Sequence, residues 1–203
     1  MIEAIVTGLF TGLVLAVLTG PVFFALIKIS VERGFISGMS FAMGVFASDI
    51  VYIVLTFFST SFIAFETQYK DYITVLGSIF LLVIGLNYVL RKVVINYEPT
   101  KIITNTGYFL KGFTMCMLNP LILFYWITIA TVTVGGKYST FGMIVFFTST
   151  LLTLFGMDVI KAYYASKFRS KIKEIYLTWL NRVAGAVIIC VAIQKLVALF
   201  FFS

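Results

Sequence analysis

The sequence predicts an all-α integral membrane protein with six transmembrane helices, arranged as two inverted three-helix repeats. Three observations carry that reading. The 203 residues are 61% hydrophobic and only 11% charged, with a mean hydropathy of +1.08. A soluble domain carries about 25% charged residues, so this much apolar surface requires lipid as solvent. Second, the charges cluster in short connections between long apolar runs. Third, a proline break and a lone aspartate recur in matching places in the two halves.

A span needs about 20 apolar residues, so the length allows about six or seven. Span 1 runs over 4–27, 24 consecutive uncharged residues from Ala4 to Ile27. The N-terminus "MIEAIV" lacks a basic signal-peptide segment and reads as an uncleaved first span. Span 2 covers 38–60, where Asp49 is the only charge between Arg33 and Glu66. Span 3 is the uncharged run Tyr72–Leu90; spans 4, 5 and 6 cover 108–133, 141–165 and 179–200. The whole chain 1–203 is then a single membrane domain. Repeat one covers 1–90, a connecting loop 91–107, and repeat two 108–203.

Orientation follows from lysine and arginine. Connections 1–2, 3–4 and 5–6 hold eleven of them: Lys28, Arg33, Arg91, Lys92, Lys101, Lys111, Lys167, Arg169, Lys171, Lys173 and Arg182. Connections 2–3 and 4–5 hold two, Lys70 and Lys137. The positive-inside rule puts the basic connections in the cytoplasm and both termini outside. Spread over loops in this way, the net charge of +7 forms no patch for nucleic acid. Tyr69, Tyr72, Tyr88, Tyr108, Tyr138, Tyr164, Tyr176 and Trp179 lie near the span ends, where amphipathic rings settle at the headgroups.

Span 1 contains Gly20-Pro21 and span 4 contains Asn119-Pro120. A proline inside a helix removes a donor and clashes with the preceding turn, at about 3 kcal/mol. At the first position of a new helix it is favoured. Residues 21–30 and 120–133 therefore read either as kinked continuations or as half-helices opening inside the membrane, with Thr19, Gly20 and Asn119 in cap positions. A half-helix N-terminus offers free N–H groups and partial positive charge, a seat for a carboxylate. Three spans per half make the second half insert upside down. That layout belongs to transporters whose substrate site lies where two broken helices meet, which makes Gly20, Pro21, Asn119 and Pro120 the candidate substrate-binding residues.

Asp49 in "FAMGVFASDIVYIVL" lies near the middle of span 2. A carboxylate there costs at least about 2.5 kcal/mol, so it should face the bundle interior, as a proton carrier would. The bland alternative is a protonated structural donor. Ser40, Gly44 and Ser48 form a small-residue stripe beside it that admits a close neighbour helix. Asp158 in span 5 is the second proton-coupling candidate. Lys161, three residues on, either pairs with it or snorkels to the cytoplasmic side. Lys195 is expected to snorkel outward. Asn87 and Asn119 either line a cavity or join helices. Gly8/Gly12 and Gly34/Gly38 match the small-xxx-small pattern, which could serve a homodimer but is expected to pack spans within one chain.

With no histidine and two isolated cysteines, Cys116 and Cys190, no metal site, disulfide framework or cofactor is expected. No phosphate-binding loop is present to hydrolyse ATP, so a gradient must supply the energy. Catalytic residues are not expected either. The Gly-x-Gly-Asp pattern of aspartyl intramembrane proteases is missing, and Asp158 instead follows Phe155-Gly156-Met157. An ion or small-solute channel is the remaining alternative, although no filter motif repeats.

Taken in order, Gly20-Pro21, Gly34, Gly38, Gly44 with Asp49, Gly112, Asn119-Pro120 and the "LNRVAGAVII" start of span 6 resemble the LysE/RhtB family of amino-acid exporters over essentially the whole chain. Two positions depart from the family pattern: Thr19 precedes Gly20-Pro21 where a proline is usual, and Leu121 follows Pro120 where a lysine is common. The resemblance implies secondary export of a small amino acid or related metabolite from the cytoplasm of a bacterium. Protons would enter in exchange across the cytoplasmic membrane, so the partners are the substrate, protons and the lipid bilayer.

Overall fold

The computed structural model of the chain describes residues 1–18, 20–58, 70–90, 92, 104–133, 138–172 and 174–202. Among them the secondary structure is helical: α1 (Ile2–Leu18), α2 (Pro21–Arg33), α3 (Phe35–Phe58), α4 (Lys70–Leu90), α5 (Asn105–Met117), α6 (Pro120–Val132), α7 (Thr140–Lys167) and α8 (Glu174–Phe202). The expected spans 1 and 4 are thus each two helices. α1 and α2 meet at 70°, which decides against a mild kink in span 1.

By length and composition, α3, α7 and α8 can each cross a membrane, and the bent α1–α2 pair makes a fourth. The apolar stretch of α4, Val75–Leu90, and the separate helices α5 and α6, 13 residues each, fall short of that length. The all-helical expectation is met, while three such helices, or four spans with the bent pair counted as one, are fewer than the six expected.

The break after α1 is made by Gly20, whose φ of 58° and ψ of −119° suit a residue without a Cβ. Pro21 then occupies the first turn of α2, where its missing N–H costs nothing. α6 starts the same way. Pro120 opens the helix, and the Asn119 carbonyl accepts from Ile122 N and Leu123 N, both at 3.1 Å. α2 turns into α3 at Gly34, φ 88°, whose N–H closes the helix on Ser30 O at 3.1 Å. Thr104 and Ser139 cap α5 and α7, each hydroxyl accepting a backbone N–H at 3.2 Å. The cap expected at Thr19 lies outside the described residues.

The chain packs as two units. The first, Met1–Phe58 with Ile95–Ile172, holds α1–α3 and α5–α7. In it α1 packs on α7 and α5 on α3; α2 packs on α7 and α6 on α3; and α3 packs on α7. Exchanging α1 with α5, α2 with α6 and α3 with α7 leaves these pairings unchanged, but α2 also packs on α3, and among the described residues α6 has no comparable packing on α7. Small residues set the approach. A Cβ at Gly44 would fall on the Phe109 carbonyl, and one at Gly112 on the Phe41 carbonyl. Gly8 and Gly12 bring α1 nearly as close to the Phe146 and Thr150 carbonyls of α7, where a Cβ would lie 2.7 Å from each, and Gly38 lies against Ser30 and Ala162. These small-xxx-small residues therefore work within the chain. Large side chains such as Leu9, Phe10, Leu13, Ile50 and Leu55 point outward, as lipid-facing surface does.

The second unit, Ser59–Val94 with Lys173–Ser203, contains α4 packed on α8. Gly85 and Gly185 face each other's carbonyls, and Asn181 Nδ2 donates to Tyr88 O at 2.9 Å. Among the described residues, Asn87 shows neither the cavity position nor the helix-joining role expected of it. It is exposed and donates to Val83 O of its own helix at 3.3 Å.

These contacts set an expected outcome for two alanine variants. Gly44→Ala or Gly112→Ala must part α3 from α5, and overpacking of this kind costs about 1–3 kcal/mol. Gly156, where a Cβ meets nothing within 4 Å, should accept alanine with unchanged or slightly raised stability. Thermal unfolding of the three variants in detergent, followed by circular dichroism, checks the contrast. Equal midpoints would mean that α3 and α5 do not touch through these glycines.

Candidate functional site

The first unit buries two carboxylates, and Asp49 faces inward as the sequence suggested. Asp49 on α3 is 1% exposed and Asp158 on α7 is 3% exposed. α3 and α7 pack on one another. A carboxylate in so apolar a setting must be compensated, and the two are compensated differently.

Asp49 is met by neutral donors. Trp126 Nε1 on α6 donates to its Oδ1 at 2.9 Å, and Cys116 Sγ in the last turn of α5 donates to the same oxygen at 3.6 Å. Ser48 is fully buried beside it, its hydroxyl neighbouring the Cys116 thiol. One turn further along α3, Tyr52 Oη donates to Met117 O, the last carbonyl of α5, at 2.7 Å. The Trp126 indole is held by the Tyr125 and Phe147 rings, with centroids 5.9 and 6.1 Å away. Tyr125 Oη in turn donates to Thr11 O at 2.9 Å, joining α6 to α1.

Asp158 is met by a cation. Lys161 Nζ lies 2.7 Å from Asp158 Oδ1 and also donates to Ala16 O, in the last turn of α1, at 2.7 Å. The same ammonium sits 5.2 Å from the centre of the Phe23 ring in the first turn of α2, a favourable position for a cation over a π face. Of the two sequence readings of Lys161, the snorkelling one is overturned. The geometric reason is that three inward partners hold its head group. The side chain of Lys195 lies outside the described residues.

The arrangement is crossed. Asp49, from the first half, stands at the break between α5 and α6, while Asp158, from the second half, stands at the break between α1 and α2. Gly20 and Asn119 are buried at those breaks and Pro21 is half-buried; the side chain of Pro120 lies outside the described residues. Asn119 N donates to Cys116 O at 2.9 Å, so the second break and the Asp49 thiol partner are three residues apart. Sequence reasoning missed Trp126, Cys116 and Tyr52 as partners. In a chain this aromatic they look like ordinary packing residues, and only the i+3 spacing of Tyr52 from Asp49, matching Lys161 from Asp158, gave any signal.

Chemically, Asp49 can take up or release a proton without an ion pair being broken, because its partners are neutral. Asp158 shares its charge with Lys161. Among the described residues no group of three His, Cys, Asp or Glu is placed to hold a metal ion.

The Asp49–Trp126 contact has an expected energetic signature. Trp126→Phe keeps the ring but removes the donor, which should lower stability by about 1–3 kcal/mol. In an Asp49→Ala background the same change should cost less than half as much, because no acceptor remains. A double-mutant cycle on thermal unfolding reads the coupling, and additive losses would show that the hydrogen bond carries no energy.

Comparison with known proteins places this geometry. The family model of the LysE type translocators matches residues 13–198, a range that contains both breaks and both aspartates. A Bacillus subtilis (strain 168) protein, YcgF, whose name attributes amino acid efflux to it, is 25% identical over 183 residues, 86% of each chain. No solved structure matches the chain. With the family model covering nearly its full length, the chain belongs to the LysE type translocators.

Proposed function

We propose that this translocator is a secondary exporter that moves a small amino acid or related metabolite out of the cytoplasm in exchange for protons. It does so across the cytoplasmic membrane of a bacterium, with six spans in two inverted repeats and both termini outside. Membership of the family supports export, and the efflux named for the Bacillus subtilis relative supports an amino acid as cargo. The pairings unchanged by exchanging the halves, α1 on α7 with α5 on α3, support the repeat.

The observation that carries the reading is the crossed placement of the carboxylates, each at the break of the other half's broken helix. In this mechanism the substrate carboxylate docks at the opening turns of α2 and α6, around Gly20, Pro21, Asn119 and Pro120. Backbone N–H groups and the helix dipoles favour an anion there. Asp49 and Asp158 are the proton-coupling pair. Asp49, held by the neutral donors Trp126 and Cys116, alternates between protonated and ionised as the halves rock. A proton bound on one side and released on the other supplies the work, as intramembrane carboxylates do in pumps and transporters.

Everted membrane vesicles with an imposed pH gradient test the proposal. Wild-type vesicles should accumulate one or more members of a labelled amino-acid panel. Vesicles carrying Asp49→Asn should fall to the level of vesicles without the protein. Gradient-driven accumulation that persists in Asp49→Asn would remove Asp49 from the coupling. Unitary currents in place of saturable accumulation would make the protein a channel.

A further inference from the structure

We propose that the outward face of the second half of α7, with the turn that ends it, binds an anionic phospholipid whose phosphate is held by Lys167, Arg169 and Lys171. Leu152, Gly156, Ile160, Tyr163, Tyr164 and Lys167 recur at helical spacing, which puts them on one face of the helix. Leu152, Ile160, Tyr163 and Tyr164 are exposed, and a Cβ at Gly156 would meet nothing within 4 Å. The face therefore changes character along its length. It is aliphatic with a notch at Gly156, then aromatic, then cationic. A phospholipid has the same order, from acyl chain through glycerol to phosphate, and tyrosine rings settle at the middle level.

The backbone holds the cationic end in shape. α7 stops at Lys167, and Phe168 N closes it on Tyr164 O at 2.9 Å. Lys171 N and Ile172 N then both donate to Phe168 O, at 2.8 and 3.1 Å, so the chain folds back between Lys167 and Lys171. That turn brings the Lys167 and Lys171 ammoniums to one ring, 5.9 and 5.8 Å from the Phe168 centroid. Phe168 in turn stacks on Tyr164.

These cations lack the partners that others in the chain have. Lys28 reaches Glu32 at 3.8 Å and Lys161 reaches Asp158 at 2.7 Å. Lys167, Arg169 and Lys171 are exposed, and among the described residues no carboxylate pairs with them. Like charges gathered in one turn repel, and an anion relieves them. Orientation across a membrane asks only for basic residues on one side, not for two ammoniums on a single ring. The apolar face decides for a lipid over a soluble phosphate, because it runs without interruption into the cations and a soluble anion would leave it bare. Each lysine or arginine at such a surface strengthens binding of an anionic headgroup about fivefold.

The inference stands apart from the exporter reading and is tested without transport. The purified full chain in neutral detergent is titrated with phosphatidylglycerol, phosphatidylcholine or glycerol 3-phosphate, and native mass spectrometry counts what is bound. Phosphatidylglycerol should bind the wild type most tightly. Lys167→Gln, Arg169→Gln and Lys171→Gln together should weaken it about a hundredfold, towards the level of phosphatidylcholine. Arg169→Gln alone should cost about fivefold and repeats the test in a chain closest to wild type. Lys92→Gln with Lys111→Gln lowers the net charge without touching the turn and should leave binding unchanged. Gly156→Leu fills the notch and should weaken both lipids several-fold.

Equal binding of the two lipids by the wild type, or phosphatidylglycerol binding that survives the triple variant, would overturn the proposal. So would an equal loss in the Lys92 and Lys111 variant, which would reduce the effect to net charge. Glycerol 3-phosphate binding as tightly as phosphatidylglycerol would make the turn a soluble-anion site. Unchanged binding in Gly156→Leu would take the acyl chain off this face.

Discussion

A helix that ends inside a bilayer leaves backbone donors and acceptors with no water to take them. Most of what is specific in this chain answers that constraint. Gly20 and Asn119 stop the two helices, Pro21 and Pro120 restart them without wasting a donor, and the exposed carbonyls are taken by side chains from helices packed alongside. The small residues follow from the same demand. A side chain reaches a backbone carbonyl across a helix interface only if the interface is tight. Gly44 and Gly112 on one pair, and Gly8 and Gly12 on the other, make it tight.

The two halves solve the problem with different chemistry. Around Asp49 the partners are an indole N–H, a thiol and a phenol, all neutral. Around Asp158 there is an ammonium. A pseudo-symmetric scaffold thus carries an asymmetric electrostatic load. One carboxylate has neutral partners, and the other lies in an ion pair whose ammonium also ties α7 to α1. The family match sets this asymmetry in a translocator.

Much of this was legible in the sequence because the signals are local. Gly-Pro and Asn-Pro in apolar runs announce a break by their own covalent geometry, and Asp49 and Asp158 stand out against uncharged neighbours. Helix limits fell within a few residues of the charge gaps: α3 runs over Phe35–Phe58 where 38–60 was expected, and α7 over Thr140–Lys167 where 141–165 was expected. The partners were not legible. Trp126 and Cys116 lie 77 and 67 residues from Asp49, and nothing separates a liganding aromatic from a packing one in a chain with 22 phenylalanines. Lys161 was ambiguous for a different reason. A long, flexible cation near a span end can reach water or fold back with equal ease, and only an acceptor from a distant helix decides between them.

The 145 residues between Ala16 and Lys161 also have a meaning in time. Chains are made at about 5–20 residues per second, so roughly 7–30 s pass between synthesis of the α1 terminus and of the lysine that completes it. During that interval the first helices have emerged while the ammonium that donates to Ala16 O has not yet been made. The first break is therefore finished late, when α7 arrives. The contact that ties α7 to the end of α1 therefore exists only once the chain is more than three-quarters made.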